Sequence, residues 1–89
     1  MPQVRFTQNI QRHVACPTRT VESSSLRQVL ETYFTVNPPT RSYVLDEQRT
    51  LRKHMAIFIN GEPVLDRKEL ADPVPPNGTI DIVQALSGG

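Results

Sequence analysis

Four residues at the end of the chain, Leu86-Ser87-Gly88-Gly89, have the types and order that could do chemistry. Two glycines close the sequence behind an apolar run, Thr79-Ile80-Asp81-Ile82-Val83-Gln84-Ala85-Leu86. A glycine pair is usually used inside a turn for its access to positive φ, but here nothing follows it. What it offers is a narrow strip of backbone ending in a carboxylate, able to enter a channel that side chains would block. Four residues extend about 13 Å, at roughly 3.3–3.6 Å each. That is enough to place the carboxylate in another protein's active site while the domain stays outside. The functional reading is a carboxylate activated by a partner enzyme, and the plain reading is a frayed terminus.

Other reactive residue types are few. His13 and Cys16 lie three apart in an apparent loop. A Cys-His pair can make a nucleophile, but no third group or oxyanion device accompanies it. The expectation is an incidental surface thiol. His54 flanks an apolar strand and reads as a surface or edge residue. Asp46-Glu47 reads as a solvated turn rather than an acid–base pair. Two His, one Cys and dispersed acids give no metal-ligand spacing, so neither a metal nor a bound cofactor is expected. Arg5, Arg52 and Lys53 are expected near any docking face. They could pair there with acids on a partner, although a solvated surface is the simpler reading.

Composition sets the limits. The chain has 89 residues, enough for one small domain. Its hydrophobic share of 37% and charged share of 21% supply one core and a soluble surface. Net charge is +1 with the ten Lys and Arg dispersed, which argues against a nucleic-acid stripe. No long apolar run opens the chain, so no signal peptide or membrane span is expected. One cysteine excludes an internal disulfide. A cytoplasmic monomer or weak oligomer is the default.

The elements that must carry the tail can be read from period and punctuation. Eight prolines fall between apolar-periodic segments and cut the chain into short elements. Gln3 to Thr7 alternates, with Val4 and Phe6 on one side and Arg5 and Thr7 on the other, as a half-buried strand does. Asn9 to Thr18 reads as a connection, and Arg19 to Glu22 as a second strand in a hairpin with the first. Leu26, Val29, Leu30, Tyr33 and Phe34 recur at helical period. Ser25 and Gln28 fit a capping box, and the helix must end before Pro38-Pro39. Tyr43-Val44-Leu45 is either a short strand or a helical turn, and Asp46 to Arg49 a polar turn.

Met55 to Ile59 is nearly continuous in apolar residues, as in a central strand. It runs into Asn60-Gly61, a tight hairpin signal. Glu62 to Leu65 returns as a short strand, Arg67 to Leu70 makes one helical turn, and Asn77-Gly78 leads into a last strand, Thr79 to Ala85. The predicted fold is α+β, with one main helix across one face of a mixed sheet. The other face is left to water or a partner. Phe58 and Val83 fall on that outer face, where exposed apolar residues suggest docking.

The run Met55-Ala56-Ile57-Phe58-Ile59-Asn60-Gly61-Glu62, the Pro76-Asn77-Gly78 turn and the terminal Gly88-Gly89 resemble the ubiquitin-like sulfur carrier family. This family has the β-grasp fold and includes the molybdopterin synthase small subunit and the thiamine-biosynthesis sulfur carrier. The stretch Leu45 to His54 looks most like the branch serving cysteine or specialised metabolites. The chain departs from the family at Gly78-Thr79, where many members have Gly-Asp. It departs again at Gln84-Ala85, where molybdopterin-type members have Pro-Pro.

The resemblance implies a β-grasp domain over 1–86 and a tail over 87–89. It implies that Gly89 carries the reactive carboxylate while Gly88 lets the tail thread. It further implies a ubiquitin-activating-type adenylating enzyme that consumes ATP, then a persulfide or sulfide donor, and finally a sulfur-accepting synthase. Val83 matches the family's outward docking position, and Phe58, Leu86 and Ser87 join it as expected partner contacts. On this reading the chain is a sulfur-carrying cosubstrate and not an enzyme. The alternatives are a molybdopterin synthase small subunit and a protein modifier joined through Gly89.

Overall fold

The five apolar positions at helical spacing, Leu26, Val29, Leu30, Tyr33 and Phe34, are all buried. They lie on the second helix of the computed structural model, which describes residues 1–84. The expected tail residues Leu86, Ser87, Gly88 and Gly89, and the boundary between 1–86 and 87–89, lie outside the described residues. In chain order the elements are β1 (Gln3–Phe6), α1 (Gln8–Gln11), β2 (Arg19–Thr20), α2 (Leu26–Val36), α3 (Pro38–Val44), β3 (Met55–Ile59), β4 (Glu62–Pro63) and β5 (Thr79–Gln84).

The strands form one mixed sheet in the order β2-β1-β5-β3-β4. Its centre is the parallel pair of β1 with β5, which sets Val4 against Ile80 and Phe6 against Ile82. Antiparallel β3 sets Ile57 against Ile82 and Ile59 against Ile80. Side chains alternate across a sheet, so this register puts one block of large apolar residues on one face. Val4, Ile57, Ile80 and Ile82 there are at most 1% exposed. They join the buried stripe of α2 in a single core. At the hairpin, Asn60 and Gly61 take φ of 52° and 84°, as the sequence requires of an Asn-Gly turn.

Four details differ from expectation. The stretch from Asn9 to Thr18 is not only a connection. It shares the short helix α1, which buries Ile10 completely. The main helix is followed at once by a second, α3. Pro38 and Pro39 both stop α2 and open α3, because proline lacks only an amide that the first helical turn leaves unbonded. The Tyr43 to Leu45 question resolves as the end of that helix, with Leu45 then bridging to Leu51.

The predicted capping box is also absent. The Ser25 side chain makes no capping bond. Ser23 Oγ donates to Gln28 Oε1 at 2.9 Å and accepts from the Ser25 amide at 3.3 Å, while the Leu26 amide donates to the Asp72 carbonyl. The start of α2 is thus capped from across the fold. Finally, β2 and β4 are two residues each, shorter than read, although the Val21 amide still donates to the Pro2 carbonyl and the Val64 amide to the Ile57 carbonyl.

Two arginines hold the long connections in place. Arg27, on α2, donates to the carbonyls of Arg49, Lys68 and Glu69 at 2.9–3.0 Å. Arg67 donates to the carbonyls of Arg52 and Met55. The Arg27 guanidinium satisfies three loop carbonyls, and that of Arg67 ties its own loop to the start of β3, as packing irregular backbone against a core requires.

Candidate functional site

The face of the sheet away from α2 is built from the outward residues of β1, β5 and β3. The register places Arg5 beside Asp81 and Asp81 beside Phe58 in one row, with Val83 beside Ala56 in the next. Arg5, Thr7, Thr18, Phe58, Asp81 and Val83 line an open depression of about 540 Å³ on this face. Phe58 and Val83, both expected on the outer face, line the same depression.

Arg5 crosses the row. Its Nε and Nη2 donate to the two carboxylate oxygens of Asp81 at 2.7 and 3.1 Å. The hydrogen bond to Asp81, and then its charge, raise Arg5 above the ordinary guanidinium value. The result is an apolar floor beside a paired charge, both accessible to a partner.

The other predicted residues go elsewhere. Cys16, expected as a surface thiol, is buried at 3% exposure within the core. Burial pushes its thiol pKa up, which makes it less nucleophilic. No local period marks its segment as inward, so the sequence carried no signal for this burial. His13 stacks on Tyr43 with ring centroids 6.2 Å apart. Among the described residues no hydrogen bond links it to Cys16.

The buried phenol of Tyr33 donates to the Pro17 carbonyl at 2.7 Å. Burial, reinforced by Cys16 and opposed by Arg19, pushes it up to about 12. Asp46 accepts from the Thr50 hydroxyl and from the amides of Thr50 and Gln48. These bonds, the Thr50 hydroxyl foremost, hold its carboxyl below the usual range. It is a loop-closing residue, as the polar-turn reading requires.

Arg52 and Lys53 do not join Arg5 at the depression. They sit before β3, at the end of that strand where Met55 pairs with Gln84, and Arg52 Nε donates to the Ser42 carbonyl at 2.7 Å. They are separated from Phe58 because a strand carries successive residues steadily away from its start. His54 is exposed in the same turn. Among the described residues no group of three or more His, Cys, Asp or Glu is placed to hold a metal ion. No helix there is long and apolar enough to cross a membrane.

A five-stranded mixed sheet, its central strands being the first and last of the chain and α2 lying across one face, defines the ubiquitin-like β-grasp fold. The solved structures it matches carry the same fold along nearly their whole length. A chain of the BexX/CysO complex of Amycolatopsis orientalis superimposes with a TM-score of 0.83 at 16% identity, covering 100% of both chains. Small archaeal modifier protein 1 of Methanosarcina acetivorans matches with a TM-score of 0.79 at 18% identity, over 99% of this chain and 95% of that one. Urm1 of Sulfolobus solfataricus matches with a TM-score of 0.70 at 20% identity, over 93% and 99%. No protein-family model and no curated protein sequence matches the chain. The likeness is one of fold, carried by strand order and core rather than by sequence.

Proposed function

We propose that this protein is a sulfur carrier, a cosubstrate rather than an enzyme, whose reactive group is the Gly89 carboxylate. The observation that carries the reading is the joint one. A ubiquitin-like sheet presents Phe58 and Val83 on its uncovered face, and its last strand leads into Leu86-Ser87-Gly88-Gly89. The five residues after Gln84 can reach at most about 18 Å, a span suited to a partner's catalytic pocket. The fold is also that of a chain found in a BexX/CysO complex.

The chemistry requires activation first, because a carboxylate is a poor electrophile. A Gly89 carboxylate oxygen attacks the α-phosphorus of ATP on the adenylating partner, and pyrophosphate leaves. Sulfide then attacks the acyl carbon and AMP leaves, giving a thiocarboxylate. With a persulfide donor the product is an acyl disulfide. A second thiol cleaves it, releasing the thiocarboxylate and an ordinary disulfide. Positioning comes from the partners, and ATP is consumed on the adenylating enzyme rather than held here. A synthase for cysteine, a cofactor or a specialised metabolite then accepts the sulfur.

The likeness in fold to an archaeal modifier protein favours a second reading in which Gly89 is joined to a lysine of a target. Intact-mass and peptide spectrometry of the protein produced with its native partners separates the two. Replacement of one oxygen by sulfur at Gly89 supports the carrier, and a Gly89–lysine isopeptide supports the modifier. An unmodified Gly89 under every condition overturns both.

A further inference from the structure

The two edges of the sheet are finished differently. At β4 the Val64 amide donates inward to the Ile57 carbonyl at 3.0 Å, so alternation turns the backbone of Pro63 outward. Proline has no amide to offer there. The next outward amide, that of Leu65, is taken by Asp72 Oδ2 at 3.0 Å. A further strand would find no free donor at either position.

The β2 edge has no such closure. The Val21 amide donates inward to the Pro2 carbonyl at 2.8 Å. Gln3, which stands opposite Thr20, sends its own amide the other way, to the Gly78 carbonyl at 2.9 Å. Both bonds turn the Thr20 backbone away from β1, and β2 is the last strand on that side. Thr18, Thr20 and Glu22 are exposed. From Thr18 to Glu22 there is neither proline nor lysine, the residues that commonly blunt an edge. Arg19 is drawn aside, its Nε donating to Asn37 Oδ1 at 2.9 Å.

We propose that β2 pairs antiparallel with β2 of a second copy of this chain, about a two-fold axis at Thr20, so that the two sheets become one. The two Thr20 residues exchange both backbone hydrogen bonds, and Thr18 and Glu22 extend the ladder at either end. A second copy is favoured over an unrelated strand because the edge complements itself. In this register Thr18 faces Glu22 of the second copy and Arg19 faces its Val21, so no like charges are opposed. A slip that pairs Thr18 with Thr20 sets Arg19 against Arg19, which is unfavourable. The axis stands perpendicular to the sheet. The depressions that Thr18 lines with Arg5, Phe58 and Val83 therefore open on the same side in both copies. Because β1 stands between β2 and β5, the strand leading to residues 85–89 takes no part in the contact.

Sedimentation equilibrium of the purified chain, from micromolar to millimolar concentration, should show a reversible monomer–dimer equilibrium. Thr20→Pro removes the outward amide and no bond to β1, a place where an edge strand tolerates proline. It should raise the dissociation constant roughly tenfold or more, whereas Thr20→Val, which keeps the amide, should leave the dimer intact. Amide hydrogen exchange of the wild-type chain gives a second reading should the proline variant fail to fold. The Thr20 amide should become protected as concentration rises, and the Val21 amide should be protected throughout. A chain that stays monomeric at millimolar concentration overturns the inference, even where a strand of another protein binds the edge. A dimer that Thr20→Pro leaves unchanged, or a Thr20 amide whose exchange ignores concentration, overturns it as well. None of these outcomes bears on the sulfur-carrier reading, which the mass of Gly89 decides.

Discussion

Arg5 and Asp81 stand 76 positions apart and are joined by two guanidinium–carboxylate hydrogen bonds across the parallel β1–β5 pair. A two-pronged bond of this kind fixes orientation as well as charge. Both side chains remain partly exposed, at 51% and 31%, so the pair does more to shape the outer face than to hold the fold. It sets a neutralised polar edge on the depression that Phe58 and Val83 floor.

Substitution of Val83 by Asp should therefore break docking without breaking the domain. The new carboxylate would stand on the same face as Asp81, with Arg5 already engaged, and would place an unpaired charge where an apolar surface is needed. Val83 is only half-buried, and the expected loss of stability is about 1 kcal/mol or less. Circular dichroism should show an unchanged fold, and the adenylating enzyme's KM for the chain should rise. An unchanged KM would remove Val83 from the partner surface.

Gly61 and Gly78 should respond differently to alanine. At Gly61 φ is +84° and a Cβ would meet nothing within 4 Å. Gly61→Ala should cost about 1–2 kcal/mol from backbone strain alone, and Gly61→Asn should recover part of it, since Asn tolerates this region. At Gly78 a Cβ would lie 3.2 Å from both Cδ and the carbonyl oxygen of Pro75, and 3.4 Å from Val74 Cγ1. Gly78→Ala should cost about 1–3 kcal/mol through crowding, and Asn there should be worse, not better. Urea midpoints of the four variants check both halves.

Stability should fall in alkaline solution because of Tyr33. In the unfolded chain its phenol ionises near about 10, whereas burial first, and then Cys16, hold the folded value at about 12. The raised folded value means that the stabilisation is complete below about 10 and is lost as pH rises toward about 12. Burial raises Cys16 as well, and its loss on charging has the same sign. Tyr33→Phe should lose about 1 kcal/mol at neutral pH with the bond to Pro17, and should lessen the alkaline decline. Urea unfolding at neutral pH and midway between the two values measures the difference. A decline as steep in the Phe variant would assign it to other groups.

Much of this was legible in the sequence, and the reason is locality. The stripe from Leu26 to Phe34, the alternation in Val4 and Phe6, the apolar run at Met55 to Ile59 and the Asn60-Gly61 turn each follow from the geometry of one segment. A helix buries every third or fourth residue and a strand every second, so these elements announce their own inner faces. The outer placement of Phe58 and Val83 follows from the same alternation.

Where pairing crosses the chain, the sequence was silent. Cys16 read as a surface thiol because its segment has no period; the fold buries it in the core. The two prolines after Asn37 announced a stop and concealed a start, since the conformation that ends one helix also opens the next. Arg52 and Lys53 were grouped with Arg5 by charge, and the fold put them at another corner. The sequence by itself determined the helices and strands with a strong period, the sidedness of each, and the order of residues leading to Gly89. The tertiary structure decided which strands became neighbours, that Arg5 meets Asp81, and that the turn of Arg52 and Lys53 precedes the residue paired with Gln84. Local steric preferences act over one turn or two residues, whereas register and burial depend on every segment that packs together.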